Sequence, residues 1–185
     1  FPTLIFTGVS PISANATNTT ALWVAGLASA GAYRRDLDVD RRSMLILSSV
    51  SLAGGLIGSI ALLYTSPDVF KKLIPYLLLL ATCVFIFGES FKKWLQSCSQ
   101  VSSSHSPPII YLVIAQLAIS IYGGFFGSGA GILMLATLTF FNIKNIHAMN
   151  ALKAWLGACM NGIAIVPFLF AGIIAGIVGG VIVGF

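Results

Sequence analysis

Asn18 and Asn150 sit in two matching stretches, Ser13-Ala-Asn-Ala-Thr17-Asn18-Thr-Thr20 and Asn145-Ile-His147-Ala-Met-Asn150-Ala-Leu-Lys153, each a polar opening to a long apolar run. Helix capping accounts for the first residues, with Ser13 or Asn15 and Asn145 as the candidate caps. It does not account for Asn18 and Asn150, which lie nearly a turn deeper, where an unpartnered carboxamide is costly. Thr17 places a hydroxyl beside Asn18. Lys153 is the single full cation inside an otherwise apolar run; such a charge either marks a functional position or snorkels outward. The third polar feature is Tyr122-Gly-Gly-Phe-Phe-Gly127-Ser128-Gly129-Ala-Gly131, with five glycines in ten residues. Its functional reading is an unwound segment whose free amides, with the positive end of the following helix, attract an anion. Its packing reading is a close helix approach at Gly123 and Gly127. Carboxamides, one ammonium and exposed amides are suited to holding a small anion. They are not suited to breaking bonds, because no paired carboxylates, no nucleophile with a base and no metal cluster accompany them. No enzyme, cofactor or metal is expected, and the glycine motif lacks the strand and the Lys-Ser or Lys-Thr pair of a phosphate loop.

The elements that must position these groups come in two copies. A shift of 132 positions lays Ala16, Asn18 and Trp23 on Ala148, Asn150 and Trp155, and a shift of 125 lays Ala53-Gly-Gly-Leu-Ile57 on Val178-Gly-Gly-Val-Ile182. The order is the same in both halves. Internal duplication in an apolar chain is a common build of secondary transporters, whose site lies where the repeats meet. The expected division is a first repeat over 1–95, a Ser-rich linker over 96–108 and a second repeat over 109–185.

Hydrophobic residues make up 57% of 185 positions and charged ones 8%, with a mean hydropathy of +0.97, more than one soluble core can hide. The expected class is therefore all-α, a polytopic membrane helix bundle. Met44 to Tyr64 alone supplies a charge-free run of membrane-spanning length. Barrel strands would be shorter and strictly alternating. Apolar runs and breakers predict spans near 15–33, 44–64, 69–88, 109–141, 148–166 and 172–185, with a partial one at 1–6. The 109–141 run is too long for one crossing and should break, or re-enter, at Gly123 to Gly129.

The net charge of +5 comes from cations clustered at the edges of apolar runs, which is a topology signal rather than a nucleic-acid face. The arginines between Tyr33 and Arg42, with Lys92 and Lys93, predict a cytoplasmic side; Lys71 and Lys72 fall on the other. Glu89 and Lys93 suit a local ion pair. His147 reads as an interface histidine, with proton binding as the alternative. Cys83, Cys98 and Cys159 show no pairing or metal-ligand spacing. Gly172, Gly176, Gly180 and Gly184, like Gly54 and Gly58, read as packing grooves. The chain has the character of a fragment, because the first copy lacks the stretch that precedes the second and the last run stops short of a span.

Phe1-Pro-Thr-Leu4, Ala14-Asn-Ala-Thr-Asn18 and Ala32-Tyr-Arg-Arg35, followed by Gly123-Gly-Phe-Phe-Gly-Ser-Gly-Ala-Gly-Ile132 and His147-Ala-Met-Asn150, resemble the sulfite exporter TauE/SafE family of membrane permeases. The resemblance covers nearly the whole chain and implies about eight spans in two halves. It implies movement of sulfite, sulfonates or related sulfur-containing anions, driven by an ion gradient. It carries over to 123–131, 16–18 and 147–150. The expected site is Thr17, Asn18, Gly127, Ser128, Gly129, Asn150 and Lys153, the last from the residue reading alone. The expected partners are a small anionic substrate and the lipid bilayer, with no nucleic acid; oligomeric state is left open. The rival reading is a non-transporting scaffold or a degenerate remnant of such a permease.

Overall fold

The structure is a computed structural model that describes residues 8–34, 40–98, 109–127, 129–140 and 146–172. Six α-helices and no strand occur among the described residues: α1 Pro11–Ala32, α2 Arg41–Leu63, α3 Pro67–Cys98, α4 Ile109–Phe126, α5 Ala130–Phe140 and α6 Ile146–Phe170. The protein is an all-α membrane helix bundle. Arg41–Leu63 and His147–Phe170 are each long and apolar enough to cross a bilayer. Leu45, Leu52 and Ile57 of α2 and Ile110 and Ile114 of α4 are exposed, which suits a lipid-facing surface.

Helix starts follow local chemistry. Ser10 rather than Ser13 or Asn15 caps α1, because Pro11 at the first position fixes a helical φ and the Ser10 hydroxyl accepts from the Ser13 amide at 3.2 Å. Asp40 caps α2 by accepting from the Ser43 amide at 3.3 Å. The long apolar run breaks where its glycines are: Gly127 and Gly129 take φ of 72° and 84°, which side-chain-bearing residues rarely adopt. Helix α3 continues to Cys98, past the expected span end at 88 and into the stretch read as linker. The rest of that linker, the segments 1–6 and 173–185, Asn145 and Ser128 lie outside the described residues, as do the side chains of Glu89, Lys92 and Lys93.

Contacts fix the direction of each helix. Ser51 meets Gln116 and Gly55 meets Gly124, so α2 and α4 run parallel. Ser48 meets Trp155 and Gly55 meets Met160 and Ile163, so α6 runs parallel to both. The first turns of α1 pack with the last turns of α2, α4 and α6 through Ala16, Leu62, Phe126, Ala164 and Phe168, so α1 runs the other way. A second cluster at the opposite end joins Leu47, Leu112, Leu138, Met149, Leu152 and Leu156. Since α4 ends at the first cluster and α6 begins at the second, α5 must travel back between them. Helices α4 and α5 therefore form a hairpin with Gly127 and Gly129 at its tip.

Small residues set the seam between α2, α4 and α6. A Cβ on Gly54 would lie 2.6 Å from Ser120 Cβ, and one on Gly55 would lie 2.6 Å from the Met160 carbonyl oxygen and 2.9 Å from Ile163 Cγ2. Gly58 and Gly124 face backbone just as closely. In lipid such close approach replaces the hydrophobic drive that water would supply. Fully buried Gln116 donates through Nε2 to Ser51 at 2.8 Å and to Ser120 at 3.2 Å, tying the same seam. Gly55→Val should therefore force α2 and α6 apart, at about 1 to 3 kcal/mol or more. A lower melting temperature of the detergent-purified protein is the expected readout; an unchanged one would contradict the seam.

Helix α3 locks the hairpin tip. Phe70 meets Phe125 and Phe126 edge-on, with ring centroids 5.6 and 6.3 Å apart, and the Tyr122 hydroxyl donates to the Leu77 carbonyl at 3.1 Å.

Candidate functional site

Helices α1 and α6 carry the two matching stretches, and they cross antiparallel. At the crossing Gly26 meets Ala158, 132 positions later: a Cβ on Gly26 would lie 3.4 Å from Ala158 Cβ. Trp23 lies against Gly162, farther along in the sense an antiparallel pair requires. One cavity of about 730 Å³ runs beside this crossing. Asn18, Leu22, Ala25 and Ser29 of α1 line it, and so do Asn150, Ala154, Gly157 and Asn161 of α6. These are four pairs of counterparts at the same 132-residue spacing. Each set falls on one helix face because its members are three or four residues apart.

The remaining wall is the start of α5. Gly127, Gly129, Ala130 and Gly131 line the cavity, and Lys153 reaches it from α6 with its stem beside Gly131, where a Cβ would lie 3.7 Å from Lys153 Cδ. The Gly129 carbonyl accepts from the amides of Ile132 and Leu133, which begins the helix and leaves the earlier amides of α5 without intrahelical acceptors. The wall holds one cation and no carboxylate among the described residues. Lysine, a helix start and carboxamides together give it a positive bias. Arg34, Arg41 and Arg42 are exposed at the end of the bundle where α6 begins.

Of the residues the sequence singles out, Asn18, Gly127, Gly129, Asn150 and Lys153 share this cavity. Thr17 does not, because its hydroxyl donates to the Ser13 carbonyl of its own helix at 2.8 Å. Ser128 lies outside the described residues. The two asparagines do not meet each other. Each lies eight residues before the crossing on helices that run in opposite directions, so they flank it at roughly 12 Å on opposite sides. Asn161 and Ser29 are the polar residues nearer the middle. Asn161 is 6% exposed and its Oδ1 has no hydrogen-bond partner. Its signal in the sequence was its place eleven residues after Asn150, three turns along the same face. His147 is exposed in the first turn of α6, away from the cavity wall.

The cavity wall brings together an ammonium, a helix start and neutral carboxamides, a combination that attracts small anions and has no group suited to bond chemistry among the described residues. A probable membrane transporter protein of Haemophilus influenzae is 25% identical over 154 residues, covering 80% of this chain and 56% of its own length. The chain thus spans little more than half of that relative. No solved structure matches the chain. The match to the sulfite exporter TauE/SafE family runs over residues 1–185, and the chain belongs to that family of membrane proteins.

Proposed function

We propose that the chain forms the core of a secondary transporter for sulfite, sulfonates or related sulfur-containing anions, held in the cavity between α1 and α6. The observation that carries this reading is the lining by four pairs of counterpart residues around an antiparallel crossing. Two copies related by inversion present the same face to opposite ends of the path, which is the symmetry that alternating access uses. Lys153 and the start of α5 supply attraction for an oxyanion, and the amides of Asn18, Asn150 and Asn161 supply neutral donors along the way. A cavity that sets Asn18, Ser29, Asn150, Lys153 and Asn161 into a mostly apolar wall also weighs against a purely structural scaffold, which has no use for one. The relative's description as a probable membrane transporter fits this reading.

Flux into proteoliposomes carrying the full-length natural protein tests it. Sulfite or a small sulfonate should enter faster than a neutral solute of similar size. Equal entry of both, or entry no faster than into protein-free vesicles, would contradict the proposal.

A further inference from the structure

Beneath the hairpin tip, on the side of Gly127 that faces α1, lies a second polar group that the anion reading does not use. Asn15 and Thr19 are both fully buried, and Asn15 Oδ1 and Thr19 Oγ1 have no hydrogen-bond partner. Both oxygens point to one place: a Cβ on Gly127 would lie 3.2 Å from Thr19 Oγ1, 3.7 Å from the Gly123 carbonyl oxygen and 3.8 Å from Asn15 Oδ1. The Asn15 amide is held in that orientation because Nδ2 donates to the Phe125 carbonyl at 3.2 Å, which leaves Oδ1 turned inward. Helix α4 ends here, so its last carbonyls lack intrahelical donors and carry about half a negative charge.

We propose that Asn15 Oδ1, Thr19 Oγ1 and the carbonyl end of α4 form a binding site for an alkali cation, next to the anion cavity. Every atom in the set is an oxygen, and the set combines side-chain oxygens with the C-terminal end of a broken helix, a combination suited to a dehydrated monovalent ion. A divalent ion does not fit, because no carboxylate among the described residues offsets its desolvation. A proton does not fit, because none of the three groups titrates in the physiological range. The cation would sit under Gly127, which also lines the anion cavity. Its charge would steady the tip of the hairpin and favour an anion on the other side, so each ion should raise the affinity of the other by the same factor.

The coupling rests on the transport reading, but the cation site itself does not, and its test needs no oxyanion. The purified full-length protein is melted in sodium, potassium or choline chloride at equal ionic strength. Sodium or potassium should raise the melting temperature above the choline value. Thr19→Val should weaken that response roughly tenfold or more in cation concentration, Asn15→Leu likewise, while Thr19→Ser should keep it. In choline Thr19→Val should melt no lower than the parent, since it removes a hydroxyl that bonds nothing. No alkali response in the parent, a response to calcium alone, or an unchanged response in Thr19→Val would overturn the proposal. So would a loss of stability of Thr19→Val in choline, which would show the hydroxyl bonded to protein or water. Anion flux that persists with no alkali cation would leave the transport reading standing and remove only the coupling.

Discussion

Lys153→Ala should weaken anion binding by roughly tenfold to a hundredfold, the equivalent of losing one hydrogen bond to a charged group at about 1.5 to 3 kcal/mol. The ammonium is the one cation in the cavity wall among the described residues, and the same wall holds no described carboxylate to neutralise it. Partial burial between α5 and α6 keeps its surroundings well below the dielectric of water, so its attraction is not screened away. Its stem also packs beside Gly131, and the truncation removes that contact as well as the charge. Lys153→Arg separates the two effects: it retains the charge and should recover most of the affinity. Titration of the purified full-length protein with sulfite or a sulfonate reads both variants. An unchanged affinity for Lys153→Ala would show that the lysine snorkels away from the path.

Gly157→Leu should reduce flux to the level of empty vesicles while leaving the bundle folded. Gly157 lines the cavity, and a Cβ added there would meet nothing within 4 Å. That openness separates it from Gly54, Gly55 and Gly58, whose hypothetical Cβ atoms collide with neighbouring helices. A leucine at 157 therefore points into the space beside the α1–α6 crossing instead of prying helices apart. Replacing glycine inside a helix also gains about 1 kcal/mol of helix propensity. The expected result is a melting temperature equal to or above the parent's together with lost flux. Normal flux with leucine in place would mean that solute passes elsewhere, and a large fall in melting temperature would mean that the position packs against something.

Much of the fold was legible because lipid simplifies the code. The run lengths gave the helices, and the glycines at 127 and 129 gave the break, since left-handed backbone there requires them. The 132-residue spacing pointed at the two helices that turned out to cross, and Asn18, Asn150 and Lys153 all reach the cavity between them. Direction was not legible. Repeated residues look the same whether two copies run parallel or antiparallel, and only the return of α5 settles that α6 opposes α1. The asparagines consequently flank the crossing instead of meeting at it. Asn15 and Thr19 read as ordinary cap and helix-start residues, yet both are fully buried. Their burial is a tertiary fact that no local pattern carries. Thr17, one residue from Asn18, points elsewhere because helical neighbours are about 100° apart, and its hydroxyl bonds its own backbone.

The central claim is that the anion occupies the cavity shared by counterpart faces of α1 and α6, and thiol protection at a counterpart pair measures it most directly. In full-length protein with Cys83, Cys98 and Cys159 replaced by alanine, Ala25→Cys and Gly157→Cys each place one thiol on the cavity wall. Sulfonate at saturating concentration should slow modification of both thiols by a small, water-soluble thiol reagent, and the protection should weaken when Lys153→Ala is added. Modification rates that are the same with and without the anion at both positions would contradict the account.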